Sequence, residues 1–160
     1  MNEDYEIGRA GLDDTHWITE ELTNSWGSPL IVVNGEIIDA SKQQALVARP
    51  QLGLLVFRDH SENGVEIVAI EALVSGRGIG RALLDRLRND SERLGKVYIS
   101  VTTTNDNLIA LRFYQRYGFA LYELRTGAVD RARKTLKPEI PEEGSEGIRI
   151  RDEIELRYGL

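Results

Sequence analysis

The stretch Ser75-Gly76-Arg77-Gly78-Ile79-Gly80-Arg81 constrains this chain more than any other. An apolar run from Val65 to Val74 precedes it and reads as a buried strand, and the amphipathic segment after it reads as a helix. Three glycines at alternate positions let the backbone approach a ligand closely, because no Cβ intervenes. A helix that starts there offers unpaired N–H groups and the positive end of its dipole, which together suit phosphate oxygens. A phosphate cradle is one reading of this stretch, and a plain strand-to-helix turn is the other.

The familiar nucleotide fingerprints do not fit. From Gly76 the spacing is G-x-G-x-G followed by Arg81, where the dinucleotide fingerprint needs G-x-G-x-x-G; from Gly78 the sixth place holds Leu83. No Gly-Lys-Ser/Thr triplet occurs, so a phosphate-binding loop of that type is absent too. A phosphate-bearing ligand stays one of the two readings, with NAD and ATP poorly supported.

A second segment adds a resemblance. Asn107-Leu108-Ile109-Ala110-Leu111-Arg112-Phe113-Tyr114, followed by Gly118-Phe119, resembles the N-x-x-A-x-x-F-Y-x-x-x-G-F signature of the GNAT superfamily of acetyl-CoA-dependent N-acyltransferases. The glycine run resembles the coenzyme A loop of the same superfamily, written [RQ]-x-x-G-x-[GA], with Gly78 and Gly80 at the two small positions. Ser75 stands where that loop carries Arg or Gln, a departure that weakens a side-chain contact while leaving the backbone donors in place. The resemblance covers about residues 50 to 124.

Composition sets the frame. At 160 residues the chain is expected to form a single domain spanning residues 1–160. No apolar stretch approaches the roughly 18 residues of a membrane span, and Met1-Asn2-Glu3-Asp4 is unlike a signal peptide, so a cytoplasmic protein without a membrane partner is expected. With no cysteine, the chain has no thiolate nucleophile and no thiolate metal site. His16 and His60 have no metal-ligand or triad pattern around them, and no metal is expected. The formal charge of −6 argues against nucleic acid as a partner and suits a cationic acceptor.

Along the chain, residues 5 to 9 read as an edge strand. Asp13 or Asp14 is expected to cap a helix to about Ser25, with Ile18, Leu22 and Trp26 on its buried side. Asn34-Gly35 between Leu30–Val33 and Glu36–Ile38 is a hairpin signal. Ala45–Ala48, Leu52–Arg58 and Val65–Leu73 read as successive strands, the last two as an antiparallel hairpin. The pattern from Gly78 to Arg93 is helical, with Leu83, Leu84, Leu87 and Leu94 on one face and Gly95 as the stop. Val97–Val101 reads as a strand, and Asn105 or Asp106 as the cap of a helix ending at Gly118. Phe119–Leu124 reads as a strand, Ala128–Lys134 as a short helix, Pro138–Gly147 as an acidic loop, and Ile148–Tyr158 as the home of a final strand. The fold class is α/β, a mixed central sheet flanked by helices. The GNAT resemblance implies the same sheet, with its fourth and fifth strands splayed apart to admit the pantetheine arm.

Acyl transfer from a thioester to an amine needs a neutral amine, a polarised carbonyl and a proton for the departing thiolate. An alkyl amine has a pKa of about 10.4, so about one molecule in a few thousand is neutral at pH 7. A carboxylate can take the surplus proton. Glu66, near the start of the strand leading into the coenzyme loop, is the first choice; it is counted on one face with Val68, Ile70 and Ala72, and Glu71 on the other with Ile67 and Ala69. The resemblance makes Tyr114 the candidate acid; its periodicity with Ala110, Phe113 and Tyr117 also fits a core stripe. It further implies that a main-chain N–H around Leu73 or Val74 polarises the carbonyl. Pyrophosphate would lie over Gly76 to Gly80, Ile79 included, within reach of Arg77 and Arg81, and Asn107 would bond the pantetheine or pyrophosphate unless it helps to cap its helix. The implied activity is transfer of an acetyl group from acetyl-CoA to a small-molecule or peptide amine by direct attack, in a monomer or homodimer. The alternative is a non-catalytic module of the same fold that binds or senses acyl-CoA.

Overall fold

The structure, a computed structural model, describes residues 4–61 and 63–160. In chain order the elements are β1 (Glu6–Arg9), a 3-10 turn (Leu12–Asp14), α1 (Thr15–Trp26), β2 (Leu30–Val33), β3 (Glu36–Asp39), a second 3-10 turn (Ala40–Lys42), β4 (Gln44–Arg49), β5 (Gly53–His60) and β6 (Gly64–Ala72). Then come α2 (Ile79–Arg93), β7 (Tyr98–Thr104), α3 (Leu108–Tyr117), β8 (Ala120–Arg125), α4 (Ala128–Thr135) and β9 (Glu153–Gly159). Seven strands form one mixed sheet in the order β1-β4-β5-β6-β7-β9-β8, and β2 and β3 pair separately. The α/β class expected from the sequence is the one observed. No helix among the described residues is long and apolar enough to cross a membrane.

The chain divides into two compact units. The first takes in the chain up to Ile31, Asp39–Ile99 and Leu160; the second takes in Val32–Ile38 and Ser100–Gly159.

In the first unit, β1, β4, β5 and β6 pair antiparallel in that order. Six consecutive residues of β6, Gly64 to Ala69, are buried, as are the first five of β5, so these strands read as continuous apolar runs because both faces are covered. α2 packs a stripe of Ile79, Leu83, Leu84 and Leu87 into the core. Leu94, expected on that stripe, is 69% exposed: it is the residue after the helix, where Gly95 at φ 71° turns the chain away. Trp26 is likewise half-out rather than buried, being the last residue of α1 before Gly27 at φ 79°. Asp14 does not cap α1 with its side chain. Its carboxylate instead accepts the Gly11 N–H at 2.8 Å and both Arg49 Nη groups at 2.9 Å, tying the 3-10 turn to the end of β4.

The second unit is organised by arginines. Arg125, at the end of β8, gives Nε to Glu153 at 2.9 Å, Nη1 to Glu155 at 3.2 Å and Glu123 at 3.1 Å, and Nη2 to the Thr102 hydroxyl at 2.9 Å. Its charge is thus balanced by carboxylates of β8 and β9. Arg133 on α4 donates to the carbonyls of Ile140, Pro141 and Ile150 and pairs with Asp130 at 2.8 Å, which clamps that loop to the helix. The Asn34-Gly35 turn adopts left-handed φ at both residues, 48° and 76°, as its hairpin signal required.

The β5–β6 hairpin closes against Tyr98, whose hydroxyl lies 2.9 Å from His60 Nδ1 and 3.0 Å from Ser61 Oγ. A Cβ on Gly64 would clash with the Cζ, Cε2 and hydroxyl of Tyr98. Gly64→Ala should therefore destabilise the fold by about 1–3 kcal/mol, the usual range for overpacking. Most of that loss should vanish in a Tyr98→Ala background. Thermal unfolding of the four proteins checks this, and a Gly64→Ala protein that melts with the parent contradicts it.

Candidate active site

The candidate coenzyme site of the first unit begins where β6 ends. Leu73, Val74 and Ser75 leave the strand exposed, and Gly76 and Gly78 then take φ of 76° and 70°. These left-handed turns cost a residue with a Cβ about 1–2 kcal/mol each, and they bring the chain round so that α2 starts at Ile79. The first helical bond is from the Ala82 N–H to the Gly78 carbonyl at 2.9 Å, so the N–H groups of Ile79 and Gly80 stand in the first turn of α2, ahead of the regular helical bonding. A Cβ built on Gly76 or Gly78 would meet nothing within 4 Å. The loop is thus strained toward glycine by its backbone, while the space it borders is open.

What fixes this turn lies behind it. The Ile79 side chain is fully buried, and its Cγ2 lies 2.8 Å from where a Gly53 Cβ would be, so a glycine on β5 makes room for the first helical residue. The Leu73 N–H donates to the Leu52 carbonyl at 2.8 Å. Of the two main-chain donors expected to polarise a thioester, Leu73 is therefore already engaged, and Val74 is the one left to consider. Arg77 is half-buried: its carbonyl accepts the Tyr5 hydroxyl at 3.4 Å, and its guanidinium lies 5.6 Å from the centre of the Tyr5 ring. Tyr5 is a neighbour of this loop that no sequence signal marks, since the pairing spans 72 positions. Arg81 is exposed on the first turn of α2.

The carboxylates of β6 differ from their expected arrangement. Pairing with β5 sets Arg58 opposite Glu66, Val56 opposite Ala69 and Leu54 opposite Glu71, with a register shift between Val56 and Phe57. One residue of β6 is taken up in this bulge, so Glu66 and Glu71 lie on the same face rather than on opposite ones. Strict alternation across the strand fails there. Their surroundings are unlike. Glu66 is 5% exposed and accepts Arg58 Nε at 2.6 Å; losing one partner of a buried pair costs about 3–5 kcal/mol. Glu71 is half-buried and accepts the Ser25 hydroxyl from the end of α1.

In the second unit, Asn107 and Tyr114 are both carried by α3. Asn107 is the N-cap, its Oδ1 accepting the Ala110 N–H at 3.1 Å, whereas the sequence pattern gave the cap to Asn105 or Asp106. Asn105 bonds the Arg151 and Asp152 N–H groups at 2.9 Å, and Asp106 accepts the Thr104 hydroxyl at 2.5 Å. Tyr114 is 3% exposed, with its ring edge-on to Phe113 and Phe119 at 5.3 Å each. Of the helical stripe only Tyr114 is buried; Ala110, Phe113 and Tyr117 are half-buried. Burial pushes the Tyr114 phenol well above its ordinary value.

Comparison with known proteins decides the family. The profile described as "Acetyltransferase (GNAT) domain" matches residues 37–121. The chain belongs to the GNAT acetyltransferase family. YdhI of Bacillus subtilis (strain 168), itself uncharacterised, is 32% identical over 143 residues, which is 87% of this chain and 88% of that protein. Among solved structures, the IAA acetyltransferase of Bacillus cereus ATCC 14579 superposes with a TM-score of 0.71 at 20% identity, over 98% of this chain and 100% of the other. A GNAT acetyltransferase of Elizabethkingia anophelis with acetyl-CoA bound gives 0.69 at 19% identity, over 98% and 99%. The GNAT match takes in β6, the glycine turn, α2 and Tyr114.

If the open glycine turn is where phosphates lie, a branched side chain there should obstruct them. Gly78→Val should weaken coenzyme A binding about 10- to 100-fold, the loss of one or two charge-assisted hydrogen bonds. Calorimetric titration of the variant, after circular dichroism shows it folded, measures this. Unchanged affinity contradicts the cradle.

Proposed function

We propose that this chain is an N-acetyltransferase that moves an acetyl group from acetyl-CoA to an amine by direct attack, its 160 residues acting as one catalytic domain. The observation that carries the reading is the open, left-handed glycine turn at the start of α2. It offers the N–H groups of the first turn of α2, those of Ile79 and Gly80, to pyrophosphate in a chain of the GNAT family. Arg77 and Arg81 add positive charge beside it, and the Asn107 amide nitrogen remains available for a coenzyme oxygen while Oδ1 caps α3. The Val74 N–H is the donor assigned to the thioester carbonyl, since the Leu73 N–H is taken by Leu52.

The departing thiolate needs a proton, and this reading assigns its delivery to the Tyr114 hydroxyl, which matches the tyrosine of the family signature. A buried phenol stays protonated across the neutral range. In water a tyrosine is an uphill donor to a thiolate by roughly 2 kcal/mol; a dry pocket also disfavours the thiolate, which keeps the gap small. With no cysteine in the chain, a thiol-bound acyl-enzyme has no nucleophile, so the amine attacks the thioester directly.

Incubation with acetyl-CoA and a panel of primary amines, following free thiol release, tests the reading: an acetyltransferase releases thiol only with an acceptor present. Coenzyme A binding without thiol release for any amine would instead support an acyl-CoA sensor. Within the reading, Tyr114→Phe should keep the ring packing, shift stability by only about 1 kcal/mol and lower turnover about a hundredfold. Acetyl-CoA affinity should change far less. A Phe variant that turns over at the parent rate would return Tyr114 to the core.

A further inference from the structure

Inside the second unit, α4 and the turn between β2 and β3 border a cavity of about 390 Å³. Its polar lining is Asn34, Arg125, Arg131 and Thr135, and Ala128, Ala132 and Leu136 make the rest of the wall apolar. The two arginines differ in what they have left to give. A guanidinium carries five N–H groups. Arg125 spends four of them: Nε on Glu153, both hydrogens of Nη1 on Glu155 and Glu123, and one of Nη2 on the Thr102 hydroxyl. The fifth, on Nη2, meets no described acceptor, although the side chain is only 9% exposed. The charge of Arg125 is already offset by three carboxylates, so it brings the cavity a hydrogen bond and no net charge.

Arg131 supplies the charge. It is exposed, and among the described residues it makes no ion pair. Its Nη1 donates to the carbonyl of Thr126, the residue after Arg125, at 3.0 Å, and lies 3.1 Å from where a Gly127 Cβ would be. Gly127, at φ 73°, thus leaves room for this guanidinium at the N-terminal end of α4. The nearby acids of α4 and of the chain entering β9 are already paired, Asp130 with Arg133 and Arg149, and Asp152 with Arg151. Thr135 gives its hydroxyl proton to the Arg131 carbonyl at 2.8 Å.

We propose that this cavity binds the carboxylate of a small organic acid, with Arg131 as its counter-charge and the spare Arg125 N–H as a second donor. A single uncompensated cation suits a monoanion better than a phosphate dianion, and Ala128, Ala132 and Leu136 suit an alkyl body. All the lining residues belong to the second unit and the glycine turn to the first, so the assignment does not depend on acetyl transfer. The carboxylate can arrive on the amine that accepts the acetyl group or on a separate acid; the recognition chemistry is the same.

The probes are butanoate, inorganic phosphate, 4-aminobutanoate and n-butylamine. In a backbone amide NMR titration, butanoate should bind the parent saturably and shift the amides of Asn34, Gly35, Ala128 and Arg131. Arg131→Gln should weaken this binding about tenfold or more, the loss of a charge-assisted contact. Ala128→Leu, which narrows the cavity without removing a charge, should act likewise. Lys134→Gln removes a cation of α4 that does not line the cavity and should leave the affinity unchanged. Inorganic phosphate should bind more weakly than butanoate, and the reverse order overturns the carboxylate assignment. Thiol release from acetyl-CoA then separates the two sources. A carboxylate on the acceptor gives 4-aminobutanoate a higher kcat/KM than n-butylamine, an advantage lost in Arg131→Gln. A separate acid gives no such advantage while butanoate still binds, and either result sustains the proposal. A parent that binds no butanoate, an Arg131→Gln protein that binds it as the parent does, or an equal loss in Lys134→Gln overturns it. A parent that binds butanoate but releases no thiol with any amine overturns the acetyltransferase reading and leaves this assignment standing.

Discussion

Everything proposed for this chain hangs on the turn between β6 and α2. Two glycines in left-handed conformation, Gly76 and Gly78, let the chain leave a buried strand and enter a helix within six residues. The turn is held from behind, not from the front. Ile79 is lodged against the space left by Gly53, and the Leu73 N–H is locked to Leu52. Among the described residues, no atom lies within 4 Å of a Cβ built on Gly76 or Gly78. A loop fixed on one side and open on the other, at the N-terminus of a helix, suits an anion, since its donors need no reordering to meet phosphate.

The second constraint is the irregular pairing of β5 with β6. A single register shift between Val56 and Phe57 changes which side chains share a face and puts Glu66 and Glu71 together. It also gives them different cross-strand partners on β5, Arg58 opposite Glu66 and Leu54 opposite Glu71. The buried pair ties β5 to β6, and Glu71 accepts the Ser25 hydroxyl from the end of α1.

Much of this was legible in the sequence. Local signals read true: the Asn34-Gly35 hairpin, the glycine after α3, the apolar run of β6 and the leucine stripe of α2 each depend on neighbours within a turn or two. The glycine turn and the α3 signature were enough to name the family. What the sequence withheld depends on distant partners. A bulge follows from how two strands pair, so the face of Glu66 was miscounted by strict alternation. Asp14 fits the pattern of a helix cap, but Arg49, 35 positions away, competes for its carboxylate. Asn105 resembles a cap by position and is drawn off by the backbone of Arg151 and Asp152. Tyr5 carries no motif at all and is placed beside Arg77 by the fold.

The central claim, that the turn after β6 receives the phosphates of acetyl-CoA, is tested most directly by backbone amide NMR during titration with coenzyme A. The account predicts saturable shifts concentrated at Val74 and from Gly76 to Arg81, with the largest at Ile79 and Gly80, in the first turn of α2. Leu54 to Val56, in the middle of β5, should hardly move. Saturable binding that leaves the Gly76–Arg81 amides unshifted and perturbs another surface would contradict it.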